Sequence, residues 1–442
     1  MSIKVGMVSL GCPKNQVDAE IMLGILKNDG FVLTPDAALS DVVVVNTCGF
    51  IEDAKAESIE TILEFVQLKK EGRIKSVVIT GCLAERYRDE VLKEIPEADV
   101  VLGIGSNGSI ADIIKKNLYS KQTVSEFGDK YELPLSGDRV VSTLPFTAYL
   151  KIAEGCSNCC TYCAIPYIRG KYRSRHMESI LEEAKQLADR GITEIVLVAQ
   201  DTSRYGEDIY GESKLSNLME ELAKIESFKW IRVLYCYPER IDDDLLRVMA
   251  KYDNIAKYID IPLQHCNERI LRLMNRQGDR KTLSDLIVHV RDMVPGITIR
   301  TSIIAGFPTE TDDEFEELCD FVKEMQFDRL GCFAYSQEEN TPAAKMDGQI
   351  DDDVKKRRAE LVNELQYGIN LEKMDKLMGT KQLVVVEGFD RYAECYFGRT
   401  EADAPDVDFK IFFTSKKPVG VGDYVNVKVN EMFDVDLLGE AL

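Results

Sequence analysis

The sequence predicts an α/β protein built as an amino-terminal doubly wound α/β domain, a central partial (β/α)6 barrel and a small carboxyl-terminal all-β barrel. Three observations carry that expectation. Over the first 110 residues, short β-branched runs alternate with helical patterns; from residue 148 six more strand-like runs alternate with amphipathic segments; beyond residue 379 the apolar period becomes two. The expected boundaries are 1–140, 141–350, a connecting helix at 351–378, and 379–442.

In the first domain the runs 4–10 (KVGMVSL), 41–46 (DVVVVN) and 76–80 (SVVIT) have the β-branched character of buried parallel strands. Helical patterns follow each, near 15–29, 52–71 and 84–94. Residues 103–144, richer in Gly, Ser and Asp, read as the end of this domain running into a linker. The central strands are AYLKIAEG from 148, EIVLVAQD from 194, IRVLYCYP from 231, YIDIPLQH from 258, TIRTSIIAGFP from 298 and RLGCFAYS from 329. Helical periodicity fills the intervals near 178–190, 213–225, 242–252, 267–275, 282–293 and 310–326. Repeated βα units of this kind place an active site at the carboxyl ends of the strands. The run 351–377 is a charged amphipathic helix. The final strands QLVVVEGF, YAECYFGRT, DFKIFFTS and DYVNVKVNEM suggest a five-stranded barrel.

Composition narrows the function. Lys and Arg number 55 against 76 Asp and Glu, a formal charge of −21, which argues against broad attraction to nucleic-acid phosphates or anionic membranes. No apolar run nears the roughly 20 residues a membrane helix needs, and the first ten residues lack the apolar core of a signal peptide, so a cytoplasmic protein is expected. Over 379–442, seven basic residues stand against twelve acidic ones, whereas a nucleic-acid-binding barrel is normally basic.

The 12 cysteines carry the chemistry. In a large reduced protein, clustered thiols bind metal or react. Cys12, Cys48 and Cys82 each follow the end of a predicted strand, and in an open parallel sheet those ends share one edge where ligands bind. Three cysteines distant in sequence are thus expected at one site. Cys156, Cys159, Cys160 and Cys163 crowd into eight residues after the first barrel strand. Cys156-x3-Cys160-x2-Cys163 can hold a [4Fe-4S] cube by three irons and leave the fourth open. Structural zinc wants four ligands, and neither a second CxxC pair nor a nearby His completes such a set. By spacing alone Cys156-x2-Cys159-x3-Cys163 is an equally legal triple. Cys236, Cys266, Cys319, Cys332 and Cys395 read as small core hydrophobes.

Cys-x3-Cys-x2-Cys, with Tyr162 before the last cysteine and opening a partial barrel, resembles the radical S-adenosylmethionine (SAM) enzymes. The resemblance selects Cys156, Cys160 and Cys163 and implies that the open iron chelates SAM and cleaves it reductively. It implies SAM contacts from Tyr162, from Gln200 at the end of the second barrel strand, and from Ser302, Ile304 and Gly306 on the later glycine-containing strand, where a missing side chain admits a flat ring. Taken with the strand-end cysteines in Gly11-Cys12-Pro13-Lys14-Asn15-Gln16-Val17-Asp18, Asn46-Thr47-Cys48 and Gly81-Cys82, the whole chain resembles the methylthiotransferases: a UPF0004-like domain, a radical SAM core and a TRAM-like barrel. The resemblance implies a second [4Fe-4S] cluster on Cys12, Cys48 and Cys82, SAM as both methyl donor and radical source, and a reductant such as flavodoxin or ferredoxin. It assigns no catalytic residue beyond the cluster ligands.

Two branches of that family compete. RimO-like members modify the β-carbon of an aspartate in ribosomal protein uS12, and MiaB-like members modify an adenosine of transfer RNA. Ala164-Ile165-Pro166, the stretch Lys171-Tyr172-Arg173-Ser174-Arg175, Ile261-Pro262-Leu263-Gln264-His265 and Asp434-Val435-Asp436-Leu437-Leu438-Gly439-Glu440 resemble the first branch, and an acidic barrel suits a basic protein partner. A non-enzymatic iron–sulfur redox sensor is a further alternative; it would need no SAM-binding strand. The basic residues Arg169, Lys171, Arg173 and Arg175 read either as a solvated face or as a seat for an anion. His176, His265 and His289 read as structural, and Trp230 as core.

Overall fold

The computed structural model describes residues 2–442, and the chain forms two compact units. The first comprises the chain through Ser142 with Ala153–Arg175 and Glu338–Thr341; the second comprises Thr143–Ile152, His176–Gln337 and Pro342–Leu442.

In the first unit, β1 (Lys4–Ser9), β2 (Val32–Leu33), β3 (Val42–Thr47), β4 (Ser76–Gly81), β5 (Val100–Leu102) and β6 (Val124–Glu126) form one parallel sheet in the order β2-β1-β3-β4-β5-β6. Every residue of β3 and β4 is buried, as β-branched strands covered on both faces must be. Val42 and Val44 join the core under α1 (Pro13–Asn28), while Val43 and Val45 join the opposite core with Ile62 and Phe65 of α2 (Glu52–Lys70). After β4 come α3 (Cys82–Arg86) and α4 (Arg88–Glu94). The interval expected to lead into a linker contains another helix, α5 (Ile110–Ser120), and the edge strand β6. The doubly wound expectation is borne out, with the strand order reversing between β1 and β3. This is the switch point at which such sheets bind ligands. A two-stranded antiparallel ribbon, Ala153–Glu154 against Arg173–Ser174, closes the base of the cysteine loop in this same unit.

In the second unit, β7 (Thr147–Lys151), β8 (Glu194–Val198), β9 (Trp230–Val233), β10 (Ile255–Asp260), β11 (Thr298–Ala305) and β12 (Arg329–Ala334) form a six-stranded parallel sheet in sequential order, the expected partial barrel. The helices between them include α6 (Met177–Asp189), α7 (Leu215–Ala223), α8 (Asp243–Lys251), α9 (Glu268–Leu273), α10 (Arg280–Met293) and α11 (Asp312–Met325). The last begins with a capping box, Thr311 and Glu314 bonding each other's backbone amides. The connector α12 (Asp352–Asp375) leads to a closed barrel of β13 (Lys381–Asp390), β14 (Cys395–Thr400), β15 (Ile411–Thr414), β16 (Tyr424–Phe433) and β17 (Asp436–Ala441).

Within this unit the barrel is fastened to the parallel sheet by buried ion pairs and a hydrogen bond, braced by a further pair inside the barrel. Arg399 bonds Glu194 (2.6 Å) at the start of β8 and Glu387 (2.5 Å); Arg329 bonds Asp403 (2.5 Å); Tyr258 donates to Asp408 (2.6 Å). Trp230 lies at the same seam, buried with Phe146 and Val385 and edge-on to Tyr424 at 5.0 Å. Glu387 and Asp403 are thereby paired internally, and Asp408 also has Arg300 at 3.7 Å, so the charge count overstates the acidity of the barrel's outer surface.

Candidate functional site

Cys12, Cys48 and Cys82 follow the carboxyl ends of β1, β3 and β4, flanking the switch point. Cys12 is the extended residue before α1, with Pro13 in the first turn where a missing amide costs nothing. Asn15 ties two of the cysteine-bearing segments together: its amide reaches the carbonyls of Leu10 (2.7 Å), Asn46 (3.3 Å) and Thr47 (3.3 Å), and Asn46 donates back to the Asn15 carbonyl (2.8 Å). The Ser58 hydroxyl of α2 accepts from the Cys48 amide (3.0 Å) and donates to the Cys48 carbonyl (2.8 Å). The Thr47 hydroxyl crosses to the Thr80 carbonyl (2.6 Å).

Two glycines allow the close approaches beside the cysteines. Gly11 has φ +85°, and a Cβ there would stand 2.7 Å from the Cys48 Sγ. Gly81 has φ +96°, and a Cβ would stand 2.4 Å from the Thr47 carbonyl oxygen. Both backbones are left-handed, which glycine adopts without strain.

The three thiols act on one another. Burial pushes Cys82 up to about 12, with Arg169 opposing and Cys12 and Cys48 adding to the rise. Burial also raises Cys48; the Phe50 amide opposes it and Cys12 adds to it. Burial pushes Cys12 up too, but Lys14, Arg169 and nearby backbone amides outweigh it and leave this thiol below its ordinary value. Three thiols that repel as thiolates form a site that a cationic cluster relieves.

The second cysteine group lies on the loop closed by the Ala153–Glu154 ribbon. The Cys156 amide donates to the Gly170 carbonyl (3.1 Å) and the Cys163 amide to the Cys160 carbonyl (3.1 Å). Cys156 and Cys160 are buried and Cys163 is half-buried, whereas Cys159 is exposed on a left-handed backbone (φ 53°). Burial, then Cys160 and, more weakly, Cys156 raise the Cys163 thiol; Arg86 opposes them. Tyr162 is half-buried on this loop. Among the described residues no three His, Cys, Asp or Glu side chains converge to hold a single metal ion. A cube instead spreads its thiolates over separate irons.

The sequence reads Arg169 as solvent-facing or anion-seating, and the structure corrects this. Its side chain is buried, donating to Asp18 (2.9 Å), Glu154 (2.9 Å) and Asn15 (3.2 Å). Arg175 is also buried, Arg173 stacks over Tyr131, and of the four only Lys171 faces solvent. The sequence places Asp18 in the motif around Cys12 without giving it a partner, and Glu154 carries no signal of its own; the Asn15-to-Asp18 spacing, one helical turn, puts both on the face that meets Arg169.

In the second unit, Gln200 is half-buried two residues beyond β8. Ser302 and Ile304 share the half-buried face of β11, while Thr301, Ile303 and Ala305 are buried on the other. The backbone of Gln264 brackets them, its amide donating to the Ser302 carbonyl (2.9 Å) and its carbonyl accepting from the Ile304 amide (2.8 Å). Gly306 has φ +76° and a Cβ there would meet Lys355 at 2.3 Å. Buried His265 accepts from the Asn267 amide (3.0 Å), exposed His289 bonds Asp243 (2.8 Å), and His176 precedes α6 on the surface.

Three family models match: the uncharacterized protein family UPF0004 over residues 4–103, the Radical SAM superfamily over 150–322 and the TRAM domain over 378–442. The ribosomal protein uS12 methylthiotransferase RimO of Clostridioides difficile is 48% identical over 445 residues, spanning 100% of this chain and 99% of that protein. RimO of Desulforamulus reducens is 48% identical over 438 residues, with 99% of each covered. Among solved structures, the radical SAM methyltransferase TsrM of Kitasatospora setae, with cobalamin and a [4Fe-4S] cluster bound, superposes with a TM-score of 0.57 at 14% identity, over 78% of this chain and 77% of that one. That likeness is one of fold.

Proposed function

The chain belongs to the RimO family of uS12 methylthiotransferases, within the radical SAM superfamily, and from that premise we propose that it inserts a methylthio group at the β-carbon of an aspartate in ribosomal protein uS12. The observation that carries the reading is identity of 48% running from end to end, so that the strand-end cysteines, the cysteine loop and the final barrel all lie within the aligned span.

Radical SAM membership carries a [4Fe-4S] cluster and SAM. Cys156, Cys160 and Cys163 are the residues we assign to that cluster: Cys156 and Cys160 are buried and both act on the half-buried Cys163, whereas Cys159 is exposed. We assign a second cluster to Cys12, Cys48 and Cys82, whose all-sulfur donor set, shared edge and Gly11 clearance suit it. When bound, these groups supply one-electron cleavage of SAM and the delivery of sulfur and methyl to a carbon that carries neither an acidic proton nor a leaving group.

The chain's own part is to hold and orient. On the second unit we assign SAM contacts to Ser302 and Ile304, which share the half-buried face of β11, to Gly306 just beyond it and to Gln200 beyond β8; on the first we assign one to Tyr162 of the cysteine loop. Asn15 and Ser58 fix the backbones beside Cys12 and Cys48. Hydrogen abstraction needs no imidazole base, which agrees with three histidines engaged in or near structural contacts. A flavodoxin or ferredoxin supplies electrons, and a ribosomal substrate puts the work in the cytoplasm. No helix of the described residues is long and apolar enough to cross a membrane.

The test is an anaerobic reaction of reconstituted protein with SAM, reductant and sulfide, offered a uS12 peptide and transfer RNA in parallel and read by mass spectrometry. Methylthio addition to the peptide aspartate is expected; addition to the RNA alone overturns the substrate assignment.

A further inference from the structure

We propose that Arg169 is the positioning residue that sets the reduction potential of the amino-terminal cysteine site, a fixed cation held by Asp18, Asn15 and Glu154 at the end of the helix that packs on Cys82. The inference rests on the reading of Cys12, Cys48 and Cys82 as a cluster site and deepens it.

Arg169 ends the short helix that follows the Cys156–Cys163 loop, yet its guanidinium serves the other triad. It donates to Asp18 and Asn15 of α1, the helix that starts beside Cys12, and to Glu154 at the root of its own loop. Its positive charge opposes the rise of the Cys82 thiol and acts on Cys12 and Cys48 as well. Ala164 and Ile168 pack directly on Cys82, so the helix that carries Arg169 is seated on the amino-terminal site. A guanidinium stays charged at any working pH, and its planar fork matches several acceptors at once. At 1% exposure, its field is little screened by solvent.

The neighbours fix the sign of the effect. Adding an electron to a group ligated by three thiolates adds negative charge, which Arg169 favours and the carboxylates of Asp18 and Glu154 oppose. The two carboxylates also explain why so buried an arginine is tolerated, since a lone buried cation would be prohibitive.

The experiment uses the full-length chain with Cys156, Cys160 and Cys163 replaced by Ala, reconstituted anaerobically so that iron reports on the amino-terminal site, and titrated with dithionite under electron paramagnetic resonance. Arg169→Met is expected to lower the reduced-to-oxidised ratio at fixed potential at least tenfold, a shift of 59 mV for a one-electron couple. Glu154→Gln is expected to raise that ratio, and Arg169→Lys to keep it within threefold of the parent. Opposite signs for Arg169→Met and Glu154→Gln cannot come from a purely structural role, which would change iron content without ordering the potentials. If Arg169→Met fails to retain iron, the Arg169→Lys and Glu154→Gln variants carry the comparison. Potentials that coincide in parent, Arg169→Lys and Glu154→Gln, or a Glu154→Gln shift of the wrong sign, overturn the proposal alone. A parent that holds no iron overturns the amino-terminal cluster and the proposal with it.

Discussion

Replacing Arg399 by Met should loosen the carboxyl-terminal barrel from the parallel sheet beneath it. The guanidinium is 1% exposed and makes four bonds: two to Glu194 (3.2 and 2.6 Å), one to Glu387 (2.5 Å) and one to the Asp403 carbonyl (3.0 Å). Its loss leaves Glu194, itself fully buried, with Arg232 at 3.4 Å as its remaining charged partner. Removing one member of a buried pair costs about 3–5 kcal/mol, because the other charge stays desolvated. With a urea slope of about 3 kcal/mol per M, the midpoint should fall by roughly 1–1.7 M. Trp230 is the chain's single tryptophan and lies at this seam, so its fluorescence follows the event directly. Glu194→Gln combined with Arg399→Met should recover part of the loss, since the buried Glu194 charge is gone while Glu387 keeps Lys410 at 3.9 Å as its charged partner. Burial alone would raise the Glu194 pKa, but Arg399 and Arg232 outweigh it and hold the carboxyl below the usual range. Its contribution is therefore complete above about pH 4.3 and fades as the pH falls through that depressed value, a dependence Glu194→Gln should lack. A midpoint for Arg399→Met within about 0.3 M of the parent, equivalent to roughly 1 kcal/mol, would refute the reasoning.

Four further outcomes are expected. Gly11→Ala, forced into a left-handed backbone costing about 1–2 kcal/mol and aimed at the Cys48 sulfur, should lose the iron of the amino-terminal site while keeping the rest, as an iron assay and absorbance would record. Cys159→Ala should keep about eight irons per chain, whereas Cys163→Ala should fall toward about four. Replacing Cys12, Cys48 and Cys82 together should also leave about four; a parent count near four that this triple variant does not change would remove the second cluster. Ser58→Ala strands the Cys48 amide and carbonyl and should cost about 1–3 kcal/mol in urea unfolding of the apoprotein.

Much of the fold is legible because buried parallel strands are written in β-branched runs and their covering helices in apolar stripes; the six central strands and the connector α12 show themselves that way. The strands β2, β5 and β6, two or three residues each, are too short to show a period, and α5 is hidden behind its Gly- and Ser-rich approach. The fifth barrel strand, β17, carries a glycine, Gly439, where a Cβ would meet the Lys428 carbonyl at 2.4 Å, and its residues read as a motif rather than a strand. At the site, topology alone predicts that Cys12, Cys48 and Cys82 share an edge. The fate of Arg169 is not legible, because its partner Asp18 stands 151 positions away and no local pattern joins them. The barrel's charge misleads in the same way: its acids are countable, but which of them face inward to Arg399, Arg329 and Tyr258 depends on tertiary packing.

The most direct measurement offers the reconstituted, reduced protein a uS12 peptide whose target aspartate carries deuterium on its β-carbon, with SAM and sulfide, and follows the label by mass spectrometry. Deuterium is expected in the 5′-deoxyadenosine released from SAM, together with a methylthio group on the peptide. Peptide recovered with its deuterium intact and no methylthio group, under conditions where the protein cleaves SAM, would contradict it.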